Sequence, residues 1–301
     1  VDYDGTASSL LVEPERTNLI PYSEDFTTGS WSSFSVGTTP TLTSGFTAPD
    51  GSSNAYKISN PNKDSLWGYD GVADTNYART IYARTVSGTG TISLLSKNGN
   101  ADNVFSLTES WQRFEVNTAA LVPNIFYAVD FRVSGNLTEL LIWGGQSEVG
   151  SYPTSYIPTS GSTVTRVQDQ YSKTGISNLI GQTEGTVFVD VDFDTLSGLN
   201  MFLSIRPDAS NKIEIYRDSN IIYGEIASSS SFSFSKTGVT VGRYKIAVAY
   251  SSGSNVMYIN GDLISSNSTP FTFTSTLNSL YVGSRGGTSF IEQSRYNDIK
   301  L

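Results

Sequence analysis

Trp67 and Tyr69 stand two residues apart in the run LWGYDGVAD (66–74), so on an extended backbone their rings point the same way. Asp70 and Asp74 stand beside them in a glycine-containing stretch. Flat aromatic rings with carboxylates at their edge can hold a sugar: the ring takes the C–H face, and the carboxylates accept hydroxyl protons. The competing reading makes Trp67 a cap on an apolar core and the aspartates turn formers. A second pair, Tyr82 and Arg84, shares one face of YARTIYAR (77–84). A phenol and a guanidinium can hold a sugar or a carboxylate there, against the alternative of ordinary cross-strand pairing on an outer sheet face.

Other chemistries are excluded by what is missing. The sequence has no cysteine and no histidine. Disulfides, thiolate nucleophiles, zinc and haem sites, and triads with an imidazole base are therefore absent. A hard cation held by oxygens stays possible. The net charge of −9, with no clustered lysines and arginines, makes nucleic acid an unsuitable partner. No run approaches the roughly 18 apolar residues that span a bilayer, so no membrane insertion is expected. The opening VDYDGTASS is polar and acidic, unlike a signal peptide. Starting without Met and stopping at IKL, the chain reads as a fragment of a longer polypeptide.

These side chains need elements to position them, and the elements are strands. The 301 residues are 38% hydrophobic and only 16% charged, with 17 Tyr and 15 Phe, a balance that favours strands and turns. Short strand-like runs such as AYKIS (55–59) and YARTIYAR (77–84) alternate with turn residues such as KNGN and VSGN. In the second half, TVFVDVDFD (186–194) alternates strictly, and Asn260-Gly261 between two apolar runs signals a hairpin. Between the halves, 143–170 is extended and rich in Ser and Thr, and it carries Pro153 and Pro158, which no central strand accepts. Ile176–Ile180 is long enough for one helical turn at most. The expected fold class is all-β, two tandem antiparallel β-sandwiches: a jelly roll over 1–165 with an extended lead-in, a linker over 166–179, and a concanavalin A-like sandwich over 180–301.

Three separated stretches then carry a family resemblance: LLVEPERTNLIPYSEDFTTGSW, TNYARTIYARTVSGTG with ESWQRFEV, and WGGQSEVGSYPTSYIPTSGSTVTR. In that order they resemble the carbohydrate-binding-module-like jelly roll of tailed-phage virion proteins, among them tail fibres, head spike fibres and minor structural proteins. GTVFVDVDF, GRYKIAVAYSSGSNVMYINGDLI and NDIKL resemble a concanavalin A-like (laminin G-like) domain, a weaker likeness because such patterns are generic. The resemblance implies a phage particle component at the virion surface. Its partners would be other virion subunits and host cell-surface polysaccharide, and its state a homotrimer, although no heptad or β-helix repeat encodes one. The alternative within that resemblance is a purely structural spacer or decoration. No cofactor is required. A structural calcium is implied near the ends of the jelly roll, where Glu13, Glu15 and Glu148 flank the resembling motifs. Trp31, Trp111 and Trp143 are expected in the core.

An enzyme is not expected. Concanavalin A-like glucanases use two carboxylates on one strand, about 5 Å apart. Here Glu214 and Asp218 are four apart and separated from that pattern, and no tryptophan follows Trp143. Asp190, Asp192 and Asp194 share one strand face, with neighbours about 6.8 Å apart, too far for one ion to bind all three. They read as a solvated outer face.

Overall fold

Val187, Val189, Val191 and Phe193 are all fully buried, as a period of two demands of the strand Glu184–Phe193 that carries them. The computed structural model describes residues 2–3, 8–34, 36–72, 77–96, 103–117, 124–286, 290–291 and 293–301. Among these residues there are strands and turns and no helix. Ile176–Ile180 makes a single turn, closed by bonds from the Leu179 and Ile180 amides to the Ile176 carbonyl at 2.8 and 3.2 Å. The chain is all-β and forms two compact units, each two antiparallel sheets face to face, as expected of tandem sandwiches.

The first unit is residues 16–166. One sheet runs Val104–Leu107, Gly90–Leu94, Asn124–Asp130, Leu66–Val72, Trp31–Ser33; the other runs Gln112–Val116, Tyr77–Arg84, Glu139–Val149, Ala55–Ser59, Thr41–Phe46. Between them lies a core that includes Trp31, Ile58, Trp67, Tyr69, Ile81, Ile92 and Phe126.

The proline-containing segment after Val149 cannot join a ladder, so its backbone groups need other partners. Buried side chains supply them. Asn18 Nδ2 donates to the Ile157 carbonyl at 2.9 Å and to the Gly145 carbonyl at 3.2 Å. Gln146 Oε1 accepts the Ile157 amide at 2.6 Å. Ser23 and Thr159 each accept the other's amide on the side-chain oxygen at 2.9 Å. The segment ends in the strand Val164–Arg166, paired with Arg16–Asn18 so that Arg16 faces Arg166.

The second unit is residues 1–15 together with 167–301. A seven-stranded sheet runs Asp2–Tyr3, Ser8–Val12, Ser294–Lys300, Glu184–Phe193, Gly242–Ser251, Asn255–Ile259, Asp262–Asn267. A six-stranded sheet runs Tyr171–Thr174, Ser279–Val282, Leu199–Ile205, Lys212–Asp218, Ile221–Ala227, Phe232–Thr237. The Asn260-Gly261 hairpin has φ of 53° and 94°, the two positive values of a type I′ turn.

The domain boundaries differ from the sequence expectation of 1–165, 166–179 and 180–301 at both crossings. Leu10, Leu11 and Val12 pair with Tyr296, Arg295 and Ser294, so the lead-in belongs to the second sandwich. Val12 is fully buried there, and Gly283 makes room for it. At φ +70°, a Cβ on Gly283 would fall 2.6 Å from Val12 Cγ1. The stretch read as linker contains the strand Tyr171–Thr174. Unit 16–166 is thus inserted into the other sandwich, a long-range pairing that local sequence does not encode.

The aspartate face also differs. Asp194 is exposed, but Asp190 is buried and held by Arg243 through Nε at 2.7 Å and Nη2 at 2.8 Å. Their strand is central in its sheet, so flanking arginines cover it.

Candidate functional site

The sequence's first choice of site dissolves into the core. Leu66–Val72 is not a loop but a strand flanked on both sides, and it aims Trp67 and Tyr69 inward. Trp67 is 8% exposed and donates its indole N–H to the Phe26 carbonyl at 3.2 Å. Tyr69 is 6% exposed and packs edge-on against Trp31 at 5.3 Å. Neither ring has a face open to a ligand. Asp70 is exposed, with its amide bonded to the Ser30 carbonyl at 3.2 Å. Asp74 lies outside the described residues.

The metal candidates fare similarly. Glu148 is 0% exposed, and its two oxygens accept the Thr154 amide at 2.7 Å and the Thr154 hydroxyl at 2.5 Å. Glu13 and Glu15 belong to the other unit; Glu13 is buried and Glu15 exposed. No group of three or more acidic side chains that could hold an ion occurs among the described residues.

Tyr82 and Arg84 do lie on an outer sheet face, both half-buried, within a small aromatic cluster built on Ala48, Ala55 and Trp143. Tyr82 meets Trp143 edge-on at 5.3 Å and Tyr156 at 6.1 Å. Arg84 covers the Trp111 ring at 5.4 Å, since the pairing of Gln112 with Ala83 sets Trp111 opposite Arg84. Of the tryptophans expected in the core, Trp31 is in the main one, Trp143 is buried in this cluster, and Trp111 is only half-buried beside it.

Beside this cluster opens a cleft of about 380 Å³, lined by Tyr22, Glu24, Asp25, Asn54 and Tyr56 with Ser44, Ser53, Thr159 and Ser160. Four segments line it, at residues 22–25, 44, 53–56 and 159–160. Pro21–Asp25 is fixed by the Tyr22–Ser160 bridge and the Ser23–Thr159 exchange. The Tyr22 ring lies over Gly29, whose φ of +73° and missing Cβ admit it; a Cβ there would sit 2.7 Å from Tyr22 Cδ2. Asn54 stands just before the strand Ala55–Ser59, and Tyr56 shares the core-facing side of that strand with Ile58, half-buried at its edge with Phe26 at 5.7 Å.

The polar groups are held in place by one another. Asn54 Nδ2 donates to Glu24 Oε2 at 2.7 Å, and Tyr156 donates to Glu24 Oε1 at 3.1 Å. Asp25 Oδ1 accepts the Thr27 amide at 3.0 Å, the Thr27 hydroxyl at 2.7 Å and the Tyr56 hydroxyl at 3.1 Å, while Oδ2 accepts Thr28 at 2.6 Å. Partial burial alone would raise the Asp25 pKa. The bonds from Thr28, Thr27 and Tyr56 outweigh it and hold the carboxyl below the usual range. The Tyr156 phenol is pushed up, by burial first and then by Glu24, and stays protonated. The cleft therefore presents fixed, ionised acceptors between two tyrosine rings. Sequence reasoning passed over these residues, although Asn54 stands two before Tyr56 at the start of a strand and Glu24-Asp25 follow Tyr22 after a single serine.

The sequence matches no family profile and no curated protein. Among solved structures it is similar to the CBM40 of the Ruminococcus gnavus IT-sialidase bound to α2,3-sialyllactose (TM-score 0.35, 13% identity, 40% of this chain and 76% of that chain). It is also similar to the leech intramolecular trans-sialidase complexed with 2,7-anhydro-Neu5Ac (TM-score 0.34, 14% identity, 40% of this chain and 21% of that one). A third is the botulinum neurotoxin serotype D binding domain (TM-score 0.34, 11% identity, 40% of this chain and 33% of that one).

Proposed function

We propose that the chain is a non-catalytic glycan-binding component of a phage virion surface, a fibre or decoration subunit whose unit 16–166 holds host surface polysaccharide. The observation that carries the binding reading is the cleft between Tyr22 and Tyr56, where Glu24, Asp25 and Asn54 are pre-oriented. A few convergent polar groups fixed by their own neighbours, with aromatic walls, suit a polyhydroxylated ligand, because ordering costs are met before the ligand arrives. The virion setting rests on the three sequence stretches that resemble phage virion jelly rolls. Weak single sites serve such a particle well, since copy number multiplies avidity without new contacts.

The non-catalytic reading is supported by the state of the carboxylates. A glycosidase acid needs a raised pKa, whereas Asp25 is lowered. In the other unit Glu214 is 0% exposed, with Lys212 and Arg285 each at 2.9 Å and Ser204 at 2.9 Å, closed to any sugar. The test is a bacterial glycan array and host polysaccharide probed with the chain and with its Tyr22→Ala and Asn54→Asp variants. Binding that both variants abolish, with no new reducing ends, supports the reading. Binding that survives both removes the cleft as the site, and polymer cleavage overturns the non-catalytic assignment.

A further inference from the structure

The cleft is charged with one sign only. Its lining holds Glu24 and Asp25 and no lysine or arginine. A third carboxylate, the exposed Asp50, lies nearby in the sequence and accepts the Ser52 amide at 2.9 Å. The other titratable neighbours are the Tyr22, Tyr56 and Tyr156 phenols, of which burial pushes Tyr56 and Tyr156 up. A ligand carboxylate would meet unbalanced repulsion here.

Acceptor capacity is left over. Each carboxylate oxygen has two lone-pair positions. Glu24 Oε1 receives Tyr156 alone, Oε2 receives Asn54 alone, and Asp25 Oδ2 receives Thr28 alone. Among donors, an ammonium binds such oxygens best, because hydrogen bonds between ionised partners are about twice as strong as neutral ones.

We propose that this cleft selects sugars bearing a free, protonated amine over their N-acetylated counterparts and rejects sugars bearing a carboxylate. The proposal rests on the cleft being the glycan site.

The experiment is calorimetry on the full chain with four probes: a glucosamine tetramer, the matching N-acetylglucosamine tetramer, a galacturonic acid tetramer and sialyllactose. Each is run at a pH where the amine is charged, with and without chelator. The expected result is about tenfold tighter binding of the free amine than of the N-acetyl form, with no binding of either acid. The Glu24→Gln/Asp25→Asn variant keeps the shape of the cleft, since Thr28 and Tyr156 hydroxyls can accept as well as donate. In it the amine preference disappears, and unchanged thermal unfolding confirms the fold. Equal or tighter binding of the N-acetyl or acidic probes overturns the selectivity while leaving the glycan site standing. Binding abolished by chelator also overturns it, because the carboxylates would then face a metal ion. No binding of any sugar, here or on the array, overturns both.

Discussion

Trp143 donates its indole N–H to Asn54 Oδ1 at 2.9 Å, and Asn54 in turn donates to Glu24 Oε2 at 2.7 Å. One amide thus joins the buried aromatic cluster to the acidic cleft and fixes its own orientation, since Oδ1 can only accept and Nδ2 only donate. Replacing Asn54 by Asp keeps the acceptor for Trp143 but sets a carboxylate against Glu24. Asn54→Asp is expected to push Glu24 out of its fixed position and weaken binding of a neutral, N-acetylated glycan about tenfold or more, with a melting temperature lowered by a few degrees. Titration against that neutral glycan and thermal unfolding measure the two effects.

The buried and half-buried aromatics separate by how they fail. Trp67→Ala removes a core indole and is expected to cost about 3–5 kcal/mol in the unit 16–166, read by denaturant unfolding. Arg84→Ala removes a cation–π contact with Trp111 on an outer face and is expected to cost under about 1 kcal/mol. Comparable losses for the two would contradict the burial that separates them.

The Asp190–Arg243 pair makes a pH prediction with a definite sign. The hydrogen bond from Arg243 is the largest cause of a lowered Asp190 pKa. A folded value below the unfolded one means the contribution is complete above the ordinary carboxylate range and is lost as pH falls through the lowered value. Acid unfolding of the 167–301 unit should therefore begin below the ordinary carboxylate pKa, and Asp190→Asn should flatten that limb. Arg243→Ala should destabilise at neutral pH more than Asp190→Asn does, since it strands a buried carboxylate while the reverse change leaves a largely exposed guanidinium.

Val12 and Gly283 test the insertion. Gly283→Ala would force a methyl against Val12 at a φ of +70° and should destabilise the 167–301 unit. Adding Val12→Ala relieves the clash but not the backbone strain, so the double variant should recover only part of the loss. Deleting residues 1–15 should lower the stability of that unit and leave 16–166 unchanged, as followed by Trp fluorescence, because every tryptophan is in 16–166.

The fold was legible where period-two alternation ran long. TVFVDVDFD, YARTIYAR and the Asn260-Gly261 hairpin all form as read, because one buried face and one turn type specify them locally. Assigning Leu10–Val12 failed, since a short apolar run says nothing about which distant sheet it completes. The site was misread for a related reason. Trp67 and Tyr69 share a face, as their spacing requires, but spacing cannot say whether that face is inside or outside. The other sheet packs over that face of Leu66–Val72, through Ile58 and Ile81 among others, and that made it the inside. Tyr82 and Arg84 were placed on an outer face correctly. The cleft depends on Tyr22, Asn54 and Tyr156 meeting from three segments, which only tertiary structure reveals.

Arg16 facing Arg166 on one rung has a mechanical consequence. Just beyond that rung, the Glu13 amide bonds Asp169 Oδ2 at 3.0 Å, and the Asp169 amide bonds the Glu13 carbonyl at 2.9 Å. Tension carried along the chain from residue 8 to residue 300 can pass across this clasp without entering the inserted unit. A load that stretches residues 8–15 away from residues 167–300 is borne by these two backbone-amide bonds first.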